Sequence, residues 1–186
     1  MRRTLLLTVA LLSVGMAKAQ FSAGDFIYGA KAGLNMATLS NWNVKNKTSF
    51  HAGAFFEWRA LDFLGLSPEL IYSRQGARQK VSGDKYKFRM NYLNVPVLAK
   101  IYVWRELSLD TGLQFGFNLN SRMVTKSAKY KTSVKTFDLS VPIGMSCSSG
   151  DWVVSARYNV GLTNVTEKAK NNVFQLSVGF YLCNLF

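Results

Sequence analysis

Seven charged residues, Lys31, Glu57, Glu69, Lys100, Asp110, Asp138 and Arg157, sit among segments that otherwise alternate small or polar residues with large apolar ones. Gathered on one side of those segments, four acids and three bases would either pair in a confined interior or relay protons and small ions through it. Charges taken out of water must be paired to offset their desolvation cost, so a salt-bridged interior network is expected. His51 is the single histidine. A lipid-modifying or proteolytic centre would need a serine and a carboxylate beside it. No Ser-His-Asp spacing is recognisable, and the nearby external carboxylates are few, Asp84 and Glu167. No catalytic residue is assigned on this basis. His, Cys, Asp and Glu nowhere cluster at metal-ligand spacing, so neither a metal nor a cofactor is expected.

The elements that position these charges have a period of two. Leu107, Leu109, Thr111, Leu113, Phe115, Phe117 and Leu119 alternate with Ser108, Asp110, Gly112, Gln114, Gly116, Asn118 and Asn120. A strand of a water-soluble sandwich usually runs about five or six residues, whereas a tilted membrane strand needs about 9 to 11 with lipid on one face. Seven further segments read the same way, centred on residues 28–36, 50–59, 64–73, 92–103, 137–145, 152–162 and 174–182. Connections between them alternate in length: long near 37–48, 75–88, 121–135 and 163–172, short near 60–63, 104–106 and 147–151. That alternation is the signature of an up-and-down barrel with short periplasmic turns and long external loops. The predicted fold is all-β, an eight-stranded antiparallel up-and-down transmembrane β-barrel.

Details of composition agree with a small bore. Gly29, Gly33, Gly53, Gly112, Gly116, Gly144, Gly161 and Gly179 share the polar face, where eight strands leave room for side chains and not for an open channel. Pro96 and Pro142 fall inside strands and predict bulges or frayed pairing. Trp58, Trp104 and Trp152 all fall at periplasmic strand ends, as in an interfacial aromatic girdle. Strand parity points Cys147 outward and Cys183 inward with one strand between them, beyond the roughly 7 Å reach of a disulfide.

The N-terminus carries Arg2 and Arg3, an apolar stretch from Leu5 to Met16, and Ala17, Lys18 and Ala19 before Gln20. This pattern predicts a secretory signal peptide over residues 1–19 and one barrel domain over 20–186. The net charge of +13 would otherwise suggest nucleic acid, but an exported protein does not meet it, and none is expected as a partner. The external side holds fifteen basic residues against Asp84 and Glu167. Lys80, Lys85, Lys87, Lys126, Lys129 and Lys131 are the candidate binding positions among them, with lipopolysaccharide phosphates as a fitting counterpart. Solvated loops whose sign merely suits an anionic leaflet are the alternative.

Four segments, Gly29 to Asn35, Pro68 to Gly76, Asn91 to Lys100 and Arg157 to Asn164, resemble the PorT-like outer-membrane β-barrel domain family of Bacteroidetes-type bacteria. Asn94 stands where that family often has an acidic residue. The C-terminal Phe186, with Leu182, Phe180 and Val178 upstream, resembles the terminal aromatic of barrel assembly signals. The resemblance implies integral location in the outer membrane and insertion by the barrel assembly machinery. The expectation is a non-enzymatic envelope protein with a plugged interior and a structural or binding role. A lipid-modifying or proteolytic barrel enzyme, or a component of a secretion assembly, stands as the alternative.

Overall fold

A computed structural model describes residues 22–39, 45–75, 77–81, 84–124, 129–131, 136–166 and 169–185. Residues 1–19, Lys126 and Phe186 lie outside the described residues, and the signal and assembly assignments made for them with them. Every regular element in the described chain is a strand. These are β1 (Phe26–Leu39), β2 (Lys45–Leu61), β3 (Leu64–Gln75), β4 (Ala77–Val81), β5 (Asp84–Tyr102), β6 (Leu107–Val124), β7 (Lys129–Lys131), β8 (Phe137–Ser149), β9 (Trp152–Gly161), β10 (Asn164–Thr166) and β11 (Ala169–Leu185). Among the described residues no helix is long and apolar enough to cross a membrane.

Eight strands form the wall in the order β1, β2, β3, β5, β6, β8, β9, β11, each antiparallel to its neighbours. β11 pairs back onto β1 from Phe26↔Leu185 to Leu39↔Asn171, which closes the barrel. Closure leaves no unpaired edge to face lipid. The alternation predicted from sequence is the alternation of the wall: Leu34, Leu70, Leu113, Ile143, Val154 and Leu176 face outward while Lys31, Glu69, Asp110 and Arg157 are buried.

Two aromatic belts bound the apolar band. At the short-turn rim Phe26 stacks on Trp58 with ring centroids 6.1 Å apart, Trp152 meets Phe180 edge-on at 5.0 Å, and Trp104 is exposed. Nearer the long-loop rim, Phe50 lies against Tyr72 and Phe117 against Phe137. The turn between β8 and β9 is two residues long, and Gly150 adopts φ +57° in it, a conformation that favours glycine.

Two expectations are corrected. The long connections near 75–88 and 121–135 are largely strand: β4 pairs with β5 from Arg78↔Lys87 to Val81↔Asp84, and β7 pairs with the end of β6. Both faces of a strand above the membrane meet water, so no apolar alternation marks it. The bore is also not lined by polar residues alone. Ile27, Phe55, Val153 and Tyr181 form a buried apolar cluster in it, and Ile71 and Leu98 are buried beside the polar groups. Phe55 fits because Gly29 and Gly179 leave its ring the space a Cβ would fill, at 2.5 Å and 3.2 Å. The prolines, expected to give bulges or frayed pairing, give frayed pairing, and that expectation stands. The β3–β5 register skips from Pro68↔Val97 to Ile71↔Asn94, past Pro96, and the β6–β8 register skips from Thr111↔Ile143 to Gln114↔Ser140, past Pro142. Register shifts fall instead at Tyr28/Gly29, Arg59/Leu61 and Asn91/Tyr92.

Candidate functional site

The bore brings all seven predicted charges inside and adds Arg59, so that among the described residues four acids and four bases are buried there. Neighbouring glycines make the room. Lys31 lies in register with Gly53 and Gly179, Lys100 with Gly65, and Arg157 and Asp110 with Gly144 from its two sides.

The central cluster joins four strands. Lys31 Nζ of β1 donates to Glu69 Oε1 of β3 at 2.7 Å, and Arg157 of β9 forks onto the same carboxylate through Nη1 at 3.0 Å and Nη2 at 3.2 Å. Arg157 Nη2 also lies 3.6 Å from Asp110 Oδ2 of β6. Asp110 accepts from Ser108 at 2.8 Å and from Ser146. Toward the short-turn rim a second cluster forms on Glu57, which accepts from Lys100 Nζ at 2.6 Å and from the Tyr102 hydroxyl. The Arg59 guanidinium covers the Tyr102 ring at 3.8 Å. A carboxylate held by two cations, one of them a bidentate arginine, is the geometry that offsets desolvation of buried charges.

Toward the long-loop rim the bore is lined mainly by amides and hydroxyls, with the carboxyl group of Asp138 among them. Gln175 Nε2 donates to Asn35 Oδ1 at 3.0 Å, Asn159 Nδ2 to Gln175 Oε1 at 2.8 Å, and Asn35 Nδ2 to Ser73 Oγ at 2.8 Å. Asn171 Nδ2 donates to Gln75 Oε1 at 2.6 Å. Asp138 lies at this level, apart from the bases, and accepts from Thr163 Oγ1 at 2.7 Å and from Asn171 at 3.4 Å.

His51, for which the sequence offered no partner, meets Ser177 Oγ with its Nε2 at 2.7 Å across 126 residues of chain. Its register neighbour on β1 is Gly33, so a glycine again leaves room for the ring. The pair is buried, and His51 Nδ1 has no hydrogen-bond partner. The carboxylate that orients the imidazole in a serine-histidine-acid triad is thus missing. Among the described residues no group of three His, Cys, Asp or Glu could hold a metal ion. Cys147 is an exposed free thiol on the outer face, as its parity predicted.

The basic candidates divide. Lys80, Lys85, Lys87, Lys129 and Lys131 lie in β4, β5 and β7, at the long-loop rim and remote from the bore clusters. The rim positions and the bore clusters are therefore separate places along the strands.

A closed, all-antiparallel barrel of eight strands with an apolar outer band between aromatic belts and a polar bore is an integral outer-membrane barrel. The chain belongs to the outer membrane protein beta-barrel domain family, whose pattern it matches over residues 18–167. Among solved structures it is similar to Ail, the attachment invasion locus protein of Yersinia pestis, at 12% identity and TM-score 0.57, covering 86% of this chain and 99% of that one. A second Ail structure, in complex with the heparin analogue sucrose octasulfate, is similar at 14% identity and TM-score 0.55, covering 86% and 99%. Neisserial surface protein A (NspA) is similar at 15% identity and TM-score 0.54, covering 84% and 98%. At these identities the likeness is one of fold. No curated protein matches the chain.

Proposed function

We propose that this protein is a non-enzymatic resident of the outer membrane whose bore is filled and non-conducting and whose basic long-loop rim binds anionic components of the envelope. The observation that carries the reading is the separation of charge: acids and bases balance inside the bore, while the basic residues left over in the barrel domain are, except for Arg105, those of the rim. A neutralised, glycine-cushioned interior supports a structural core rather than a pathway. An unneutralised rim supports an interaction surface, because a cluster of one sign attracts counter-charged partners before contact. Export by the N-terminal signal, the PorT-like relationship and delivery through the barrel assembly machinery complete the proposal. Secretion assembly stays within it as one setting in which such a rim would be used.

The pairing of His51 with Ser177 favours a second reading, a hydrolytic or acyl-transfer centre. Burial of both groups and the free Nδ1 weigh against it.

The test has two arms on the mature protein in detergent or planar bilayers. No stable large-unit conductance is expected, and association with lipopolysaccharide or with sucrose octasulfate, used as a polyanion probe, is expected to weaken steeply as salt rises. Porin-like openings would sink the filled bore, and salt-independent association or none would sink the rim.

A further inference from the structure

Across the upper wall, the strand registers set the rim's basic residues in rows rather than scattering them. Lys45 of β2 stands opposite Arg78 of β4, Arg78 opposite Lys87 of β5, Lys87 opposite Val124 of β6 and Val124 opposite Lys129 of β7. A second row runs Arg89 of β5, Arg122 of β6, Lys131 of β7. Lys80 stands opposite Lys85 near the β4–β5 turn. Nine of the fifteen basic positions on this rim belong to these two rows and the Lys80–Lys85 pair, and no acidic residue occupies either row.

Like charges placed directly opposite destabilise an antiparallel pair, yet the registers place five such pairs here. Anionic groups seated between them would relieve that repulsion. With neighbouring strands about 4.8 Å apart, the first row spans roughly 19 Å. The second row begins at Arg89, four residues beyond Leu93, the last outward apolar position of β5 at this end, and Lys85 lies eight residues beyond it. At about 3.4 Å per residue and a strand tilt near 40°, the basic sector stands about 10 to 20 Å above the lipid-facing band. That is the level of sugars linked to lipid headgroups, not of acyl chains or of bulk solvent.

We propose that the β2–β4–β5–β6–β7 sector is a flat binding site for the phosphorylated saccharide of a lipopolysaccharide molecule in the same leaflet, with a phosphate between the basic positions of adjacent strands. This rests on the rim-binding reading above and narrows it to one sector, one geometry and one ligand chemistry.

The test uses the mature protein in nanodiscs, with heat-modifiable gel migration to verify that every variant is folded. Binding of lipopolysaccharide, of its dephosphorylated form and of inositol hexakisphosphate as a soluble polyphosphate is measured for three proteins: the unaltered chain, the row variant Arg78→Glu/Lys87→Glu/Arg122→Glu, and the control Lys168→Glu/Lys170→Glu, which alters rim charge outside the rows. The expected result is a tenfold or greater loss of lipopolysaccharide affinity in the row variant and less than a twofold change in the control. Dephosphorylation should weaken binding to the unaltered chain tenfold, and inositol hexakisphosphate should bind more weakly than lipopolysaccharide. Equal losses in both variants would overturn the rows while leaving rim binding standing. No loss in either would overturn both. Undiminished binding of dephosphorylated lipopolysaccharide would remove the phosphate, and tighter binding of the soluble polyphosphate would remove the membrane-bound source.

Discussion

Glu69 is the residue on which the bore turns. It holds Lys31 from one wall and the fork of Arg157 from another, so removing its charge leaves two buried cations facing each other. Breaking a buried pair by removing one partner typically costs about 3–5 kcal/mol. Glu69→Gln is therefore expected to lower the unfolding free energy in detergent by about that amount, measured by urea titration with tryptophan fluorescence. A loss no larger than that of a rim substitution would mean the cluster is not tightly coupled. The identities of all the bore charges but Arg59 were legible in the sequence, because each falls on the polar side of an alternating segment. Their partners were not. Glu69 and Arg157 are 88 residues apart, and His51 and Ser177 are 126 apart, so the meeting depends on register and closure, which no local pattern encodes.

Elements show the same division. All eight wall strands were readable because lipid on one side and a tight bore on the other impose an alternation of period two over more than ten residues. Phe55, Ile71, Leu98 and Val153 were not assigned to the bore, since a single apolar residue on the inner face leaves the alternation of the outer face intact. The rim strands β4 and β7 were read as loop because the membrane no longer sorts their side chains. Their lack of an apolar band has a consequence at this scale. Replacing residues 78–87 by a short turn removes β4 and the first residues of β5 but leaves the lipid-facing run from Leu93 to Val103. Such a variant is expected to insert and close, migrating faster when unboiled, as a folded barrel does. Failure to show heat-modifiable migration would assign the hairpin a part in closing the wall.

For the molecule as a whole, the charge clusters tie together strands that are not neighbours: β1, β3, β6 and β9 in one, with β2 and β5 in the other. A fragment ending at Val124 would carry Lys31, Lys100, Glu57, Glu69 and Asp110 without Arg157, and with an open wall. A charge left facing lipid costs about 2–4 kcal/mol at the bilayer midplane for arginine or lysine, and every open edge adds unpaired backbone groups. Fragments 20–124 and 137–186 are expected to stay unfolded when offered separately to vesicles and to yield protease-protected barrel only when mixed, as read by gel migration after trypsin. Independent insertion of either piece would contradict this. On that expectation, the balance of four acids and four bases would act during biogenesis as a test of completeness. Early hairpins hold ionised groups whose counterparts have not yet been delivered, so commitment to the bilayer is deferred until the final strand, β11, reaches β1.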